Sequence, residues 1–379
     1  MYQGITSCNS NSNSSSKFYY NYDVVSYDVP TKEQLEARKE TVKHLSYNVP
    51  TAGEYELFKL LTNPKRTFTD IIMTMPPNSV VQGNISKAWT YLNKDYDGPI
   101  VISVSGGSDS DVVIDIMRKC MVNPKNEVIY IFINTGLESR ATHEHLDYLE
   151  TRYGINIRRL RAKTPIPVAV KKHGIPFVSK RVSEYIERLQ RYGFKWEDED
   201  LLTLLYKYCE MADDATARAL QDGILPKSKW VRYEDGLWFK GCVQALKWWC
   251  NANYDDGKQS RFNIAQNTWL KEFILSEGGV PFKVSNKCCK ESKKNTIFEA
   301  LEELNPGLSI QGVRQAEGGD RATAYKSCFT EYGAHPWSEY RPVFWFSNKD
   351  KADYVEYCGI KHSALYDYQK RTGCSGCPF

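Results

Sequence analysis

The sequence predicts an α/β fold, a parallel twisted sheet with helices on both faces, carrying a helical arm at its start and a helical insertion in its middle. Three observations predict it. Short apolar runs of strand length, at residues 100–104, 128–133 and 155–160, alternate with amphipathic stretches at 111–120 and 142–153. A glycine-bearing turn, Ser105-Gly106-Gly107-Ser108-Asp109-Ser110, joins the first strand to the first of those helices. From residue 182 to 283 the alternation stops and the chain becomes helical in pattern and rich in aromatics.

Taken in order, residues 7–17 (SCNSNSNSSSK) are polar and of low complexity, so they cannot bury enough surface to order themselves. Residues 1–22 are therefore expected to be a disordered tail. Residues 23–97 read as a helical arm: 31–45 opens with Thr-Lys-Glu and is densely charged, 54–61 has helical character, Pro76-Pro77 breaks the next element, and 85–91 leads helically onward. Such an arm packs on the sheet or on a second subunit, which leaves room for a homodimer. The nucleotide-type core is assigned to 98–181, the insertion to 182–283, and the returning part of the core to 284–379.

Parallel sheets bind ligands beyond the carboxyl ends of their strands. That rule gathers the 105–110 turn, Asn134, Thr135, Gly136 and Glu138 after the second strand, and Arg161 after the third. Two glycines let the backbone approach an anion, and the N–H groups and positive end of the following helix stabilise its charge. Hydroxyls of Ser105, Ser108 and Ser110 add donors. The turn lacks the Gly-Lys-Ser/Thr ending of a Walker loop and the three spaced glycines of a dinucleotide fold. Glu138 is a candidate for Mg²⁺ or a ribose hydroxyl, with a simple helix N-terminal charge as the plainer role.

Further candidates lie downstream. Residues 158–181 are basic throughout, with no acid among them, so Lys180 and Arg181 are expected to face a polyanion if the run is more than a solvated face. Most of the insertion's tryptophans should build its own core. Trp248 and Trp249, adjacent on one helix, cannot share a side, so one of them is expected at a surface, where aromatics among Lys and Arg suit stacked bases. In residues 312–321 (GVRQAEGGDR) the guanidinium forks of Arg314 and Arg321 suit phosphate or sulfate, with an Arg–Glu317 ion pair as the alternative.

Cys288-Cys289 and Cys374/Cys377 supply four thiols in two close pairs, enough for tetrahedral zinc or a cubane iron–sulfur cluster. The vicinal pair favours iron–sulfur, because structural zinc sites space both pairs by two to four residues. Cys120, Cys209, Cys242 and Cys250 read as isolated buried thiols, and His143, His145 and His362 as structural. Eleven cysteines in 379 residues, behind no apolar leader, fit a reducing cytoplasm. No apolar run approaches the roughly 18 residues a bilayer span needs. A net charge of +4 is too small to argue for nucleic acid by itself.

Together the SGGSDS turn and the cysteine pairs resemble the phosphoadenosine phosphosulfate (PAPS) and adenosine phosphosulfate (APS) reductase family of the PP-loop ATP pyrophosphatase superfamily, in its cluster-bearing form. Further matches are Asn134-Thr135-Gly136-Leu137-Glu138, Ile175-Pro176-Phe177-Val178-Ser179-Lys180, Gly312-Val313-Arg314-Gln315-Ala316-Glu317 leading to Arg321, and Lys370-Arg371-Thr372-Gly373-Cys374. The resemblance covers about 98–379 apart from the insertion. It implies ATP, or PAPS or APS, in the turn with Mg²⁺, a [4Fe–4S] cluster on Cys288, Cys289, Cys374 and Cys377, Arg314 and Arg321 closing over anionic groups, and Lys180 at the substrate.

Two departures bear on the reaction. The turn is intact where sulfonucleotide reductases carry a degenerate one, and no thiol follows Cys377 to serve as their tail nucleophile. The expectation is an ATP-using enzyme that adenylates a nucleic acid or nucleoside for sulfur transfer, with Asp109 supporting the Mg²⁺-dependent step and Cys328 as a candidate sulfur carrier. The alternatives are a sulfonucleotide reductase releasing sulfite, and a non-catalytic regulator that senses nucleotide and binds nucleic acid or a partner protein.

Overall fold

The computed structural model describes residues 52–122, 124–234, 236–252, 264–318, 323–333, 335–369 and 372–378. The expected tail at 1–22 and the helix at 31–45 lie outside them. Along the chain come α1 (Ala52–Thr62), α2 (Phe68–Ile72), α3 (Ser79–Leu92), β1 (Ile100–Val104), α4 (Ser108–Cys120), β2 (Val128–Asn134), α5 (Arg140–Tyr153) and β3 (Ile157–Arg161). Next are α6 (Ile166–His173), α7 (Lys180–Arg191), α8 (Leu201–Tyr208), α9 (Asp214–Gln221), β4 (Trp230–Tyr233), β5 (Gly236–Phe239), α10 (Lys240–Trp249) and α11 (Thr268–Ser276). The last are α12 (Asn295–Leu304), β6 (Leu308–Gln311), β7 (Phe329–Thr330), β8 (Ser338–Tyr340) and α13 (Asn348–Tyr357).

These elements form two compact units. The first takes the described residues up to Arg161 together with Ile297–Ser375; the second takes Ala162–Thr296 and the last residues from Gly376. The second unit is thus wider than the 182–283 insertion read from the sequence, because 162–181 and 284–296 make their contacts within it.

The first unit is built on a six-stranded sheet ordered β3-β2-β1-β6-β8-β7. All neighbours pair in parallel except β7, which runs antiparallel to β8 at the edge. Successive side chains of a strand point to opposite faces, and β1 shows why both faces are covered. Ile100, Ile102 and Val104 join a cluster with Val112, Ile116, Leu146 and Leu149 of α4 and α5, whereas Val101 joins Ile129, Ile131, Leu301 and Trp337 on the other side. The fold is therefore α/β with helices on both faces, as the alternating pattern predicts. No described helix is long and apolar enough to cross a membrane.

The second unit has its own core, in which α7, α8, α10 and α11 bury Tyr185, Ile186, Leu204, Leu246, Trp248 and Ile274. Three expectations are corrected here. Trp248 and Trp249 are both buried, at 1% and 0% exposure, because α10 is covered on several sides and neither ring is left at a surface. The insertion is not wholly helical, since β4 and β5 form an antiparallel hairpin. Cys209 and Cys242 are not isolated thiols but joined in a disulfide, a pairing that a uniformly reduced set of cysteines does not describe.

Candidate nucleotide site

In the sheet order, β1 connects outward to β2 on one side, while the chain returns to β6 on its other side. The carboxyl ends of β1 and β6 therefore flank a topological switch point, the place where open α/β sheets bind ligands. Residues 105–110 lie there and are shaped by their glycines. Gly106 has φ +68°, and a Cβ on it would come 2.9 Å from Thr142 Cγ2. Gly107 is the N-cap of α4 with no side-chain cap, and a Cβ there would come 2.8 Å from Thr372 Oγ1. The loop after β6 crosses close by, since a Cβ on Gly312 would meet Ser110 N at 3.3 Å.

Hydroxyl oxygens meet the loop's N–H groups. Ser105 N–H donates to Ser110 Oγ at 3.1 Å, Gly107 N–H to Ser105 Oγ at 3.3 Å, and Ser108 N–H to Tyr366 Oη at 2.8 Å. Each of these acceptors could give way to a phosphate oxygen, which accepts more strongly because it is charged. Around the loop stand two cations. Arg314 Nε lies 2.8 Å and Lys351 Nζ 2.7 Å from the same oxygen, Oδ1 of Asp109. Arg314 also donates to Asn348 Oδ1 at 3.0 Å, and Lys351 to Ser108 Oγ at 2.5 Å. All three charged side chains are at most 17% exposed, so solvent screens them weakly. At Asp109, two cations therefore face one carboxylate.

Behind the loop, Asp111 in the first turn of α4 is fully buried between two histidines. His145 Nε2 lies 2.9 Å from one of its oxygens and His362 Nδ1 2.7 Å from the other. Both histidines thereby fix the start of α4. The next strand's loop is closed on itself: Glu138 accepts from Thr135 N–H at 2.9 Å, Thr135 Oγ1 at 2.6 Å and Gly136 N–H at 3.1 Å, while Asn134 Oδ1 accepts from Gly136 N–H at 2.9 Å. Cys374 pairs with this loop, its Sγ 3.4 Å from Thr135 Oγ1, and Ser375 N–H donates to Leu137 O at 2.7 Å.

The structure thus brings Ser105 to Ser110 and Arg314 together, with Asn134 to Glu138 on the neighbouring strand end. Three partners escaped the sequence, Lys351, Asn348 and Tyr366, while His145 and His362 hold Asp111 in the structural role expected of them. Lys351 lies 243 positions from the Ser108 it touches, and no local pattern marks it. Arg321 lies outside the described residues. Cys328 does not meet what a sulfur carrier requires: it is 6% exposed inside the apolar cluster of the first unit, where a thiol packs as a small hydrophobe.

The remaining candidates belong to the second unit. Lys180 opens α7, is exposed, and acts on Cys289. The hydrogen bond with Cys288, and the charges of Lys180, Lys293 and Lys294, outweigh burial and lower the Cys289 thiol to about 6. That same bond, with burial, pushes Cys288 upward. Cys377 also acts on Cys288. Among the described residues, however, no three His, Cys, Asp or Glu side chains stand together as a metal-holding group.

Comparison with known proteins gives residues 99–193 as a match to the phosphoadenosine phosphosulfate reductase domain. An uncharacterized protein of Methanocaldococcus jannaschii is 26% identical over 183 residues, 47% of this chain; the chain spans only 37% of that relative's length. Among solved structures, Candida glabrata FMN adenylyltransferase in complex with FMN and an ATP analogue aligns over 85% of this chain and 69% of its own, at 10% identity and a TM-score of 0.36. Phosphoadenylyl-sulfate reductase from Candida auris, in a phosphate complex, aligns over 87% and 98%, at 10% identity and a TM-score of 0.34.

Proposed function

We propose that this chain is an ATP-using PP-loop enzyme that adenylates an acceptor for sulfur transfer, the acceptor being a nucleic acid or nucleoside. One observation carries the reading: a glycine loop at the switch point with its N–H groups met by hydroxyls, and with Arg314 and Lys351 held at its side by a single carboxylate. The match of 99–193 to a domain that handles adenylyl sulfate nucleotides agrees with it.

In this reading the ATP phosphates replace the hydroxyls of Ser105 and Tyr366 on the N–H groups of Gly107 and Ser108. An acceptor oxygen attacks the α-phosphorus; that P–O bond forms as the bond to the β-phosphate's bridging oxygen breaks, and pyrophosphate leaves. Arg314 and Lys351 stabilise the charge that gathers on the leaving group, and Asp109 keeps both aimed at it beforehand. Sulfide then displaces AMP from the activated acceptor, leaving sulfur in place of the acceptor's oxygen. Cys328, being buried, is not that nucleophile.

Mg²⁺ typically binds through one or two carboxylates plus substrate phosphates; with Oδ1 of Asp109 taken by Arg314 and Lys351, its Oδ2 and bound ATP would supply that donor set, whereas Glu138 already accepts from its own loop. For a [4Fe–4S] cluster, Cys288, Cys289, Cys374 and Cys377 are the proposed ligands, and the lowered Cys289 thiol suits metal ligation. A cluster so held would supply an electron or a cross-link. Metal binding couples to the folding of the segments that supply its ligands, and no step above runs through the cluster.

Two measurements test these readings. The protein is expected to release pyrophosphate from ATP when given its RNA or DNA acceptor, and to yield no sulfite from PAPS or APS with thioredoxin. Robust sulfite formation would overturn adenylation in favour of sulfonucleotide reduction; no turnover with any acceptor would leave a nucleotide-binding regulator. Anaerobically purified protein is expected to be brown with about four irons per chain. Stoichiometric zinc, with no uptake of iron on reconstitution, sinks the cluster.

A further inference from the structure

We infer that the second unit carries a binding groove for a single-stranded polynucleotide, with phosphates tracked along α7 and a base stacked on Trp196. Such a groove lies beyond adenylation and does not depend on it. Two concavities share Arg191. One, of about 650 Å³, is lined by His173, Arg191, Lys195, Trp196, Lys283 and Lys287 among others. The second, of about 280 Å³, is lined by Arg188, Lys229 and Lys240 together with Tyr192 and Phe239.

The charge is one-sided. Among the described residues Glu187 is the only acid lining either concavity, answered twice, by Lys287 at 2.6 Å and Arg191 at 3.2 Å, while Arg188 is paired with Glu184 beside the second. Although burial works against its charge, those cations hold its carboxyl below the usual glutamate range, so it stays ionised and neutralised. Lys229 and Lys240 are exposed and make no ion pair among the described residues. A row of cations in excess of acids complements the repeating negative charge of a phosphate backbone.

The ring supplies what a simple anion site would not need. Trp196 adopts φ +60°, a left-handed conformation that a bulky residue takes only when its surroundings impose it. Phe194 and Trp249 hold it edge-on, each at 5.5 Å, and Gly279 gives it room, since a Cβ there would meet Trp196 Cδ1 at 2.7 Å. Trp196 is thus a half-buried ring, held by aromatic neighbours, on the wall of a cationic cavity. Sequence-tolerant single-strand sites combine these same two parts. A cavity of this volume admits an unpaired nucleotide, while a double helix has no unstacked base to offer it.

The test uses the full chain and fluorescein-labelled U12 RNA and dT12 DNA, read by anisotropy across a KCl series, with ATP affinity measured in parallel. Binding is expected to weaken with salt at a log–log slope of about −2 to −4, since each neutralised phosphate of a single strand contributes roughly 0.7. Lys195→Glu combined with Lys240→Glu, both on the surface, should lower oligonucleotide affinity at least about 10-fold and leave ATP affinity unchanged. Trp196→Ala should weaken binding about 5-fold or more while Trp196→Phe retains most of it. Preference for RNA over DNA, or the reverse, names the strand that is bound. Salt-independent or undetectable binding overturns the inference, as do charge variants that bind like the parent, or polyglutamate that competes as well as the oligonucleotides. Oligonucleotide binding without ATP binding would leave the groove standing and defeat adenylation; ATP binding without oligonucleotide binding would do the opposite.

Discussion

Gly107→Val is expected to lower ATP affinity at least about 100-fold by calorimetry, because it removes two charge-assisted hydrogen bonds of roughly 1.5–3 kcal/mol each. The cause is steric. A Cβ at this position lies 2.8 Å from Thr372 Oγ1, 3.2 Å from Ser105 Oγ and 3.4 Å from Tyr366 Oη, on the side from which phosphate must approach the N–H groups of Gly107 and Ser108. Backbone φ is −96°, which any residue adopts, so the variant fails by bulk and not by twisting the chain. Lys351→Met leaves the backbone alone and removes one cation, and should cost about 10-fold or more. Unchanged affinity in the Gly107 variant, or no affinity of the parent for any adenine nucleotide, would count decisively against the site.

The nucleotide loop was legible in the sequence because everything that defines it is local: an apolar strand, two glycines, three hydroxyls and a helix within eighteen residues, 100–117. Arg314 was legible for a different reason, through its place in a resembling loop. Lys351 and Tyr366 were not, since each reaches the loop from an element whose own pattern is an ordinary capped helix or turn. The adjacent tryptophans misled because helical periodicity says which residues share a side, not how many sides are covered; α10 is enclosed by its neighbours. The disulfide between Cys209 and Cys242 was hidden by spacing, since a separation of 33 residues carries no signal until α8 and the start of α10 are seen together. The boundaries of the second unit were read too narrowly because 162–181 and 284–296 carry family-like motifs while packing with the insertion, as the Phe177–Phe282 ring contact and the bond from Val284 N–H to Gln190 Oε1 show.

The largest loss of stability should come from Asp115→Ala, about 3–5 kcal/mol, the cost of removing one partner from a buried ion pair. Asp115 is fully buried on α4, one turn beyond the histidine-held Asp111, and it satisfies three groups at once. Lys119 Nζ lies 2.7 Å away, Tyr354 Oη donates at 2.7 Å and Tyr153 Oη at 3.0 Å, joining α4 to α5 and α13. Without the carboxylate, a lysine 4% exposed must either stay charged without its carboxylate partner or give up its proton, and two buried hydroxyls lose their acceptor. Burial alone would depress the Lys119 pKa, but Asp115, helped by Cys358, more than offsets that and holds it above the ordinary lysine value. Because the folded-state value is the higher one, the contribution linked to the lysine's proton is complete at neutral pH and is lost as pH rises through that raised value. Chemical denaturation at pH 7 is therefore the measurement, tracking the transition of the first unit. Lys119→Met added to Asp115→Ala should recover part of the loss, since it removes the stranded charge and leaves an apolar side chain of similar length. A loss below about 1 kcal/mol, the scale of an exposed pair, or no recovery in the double variant, would mean that the three partners find water or each other, and that α4 is not held to its neighbours through Asp115.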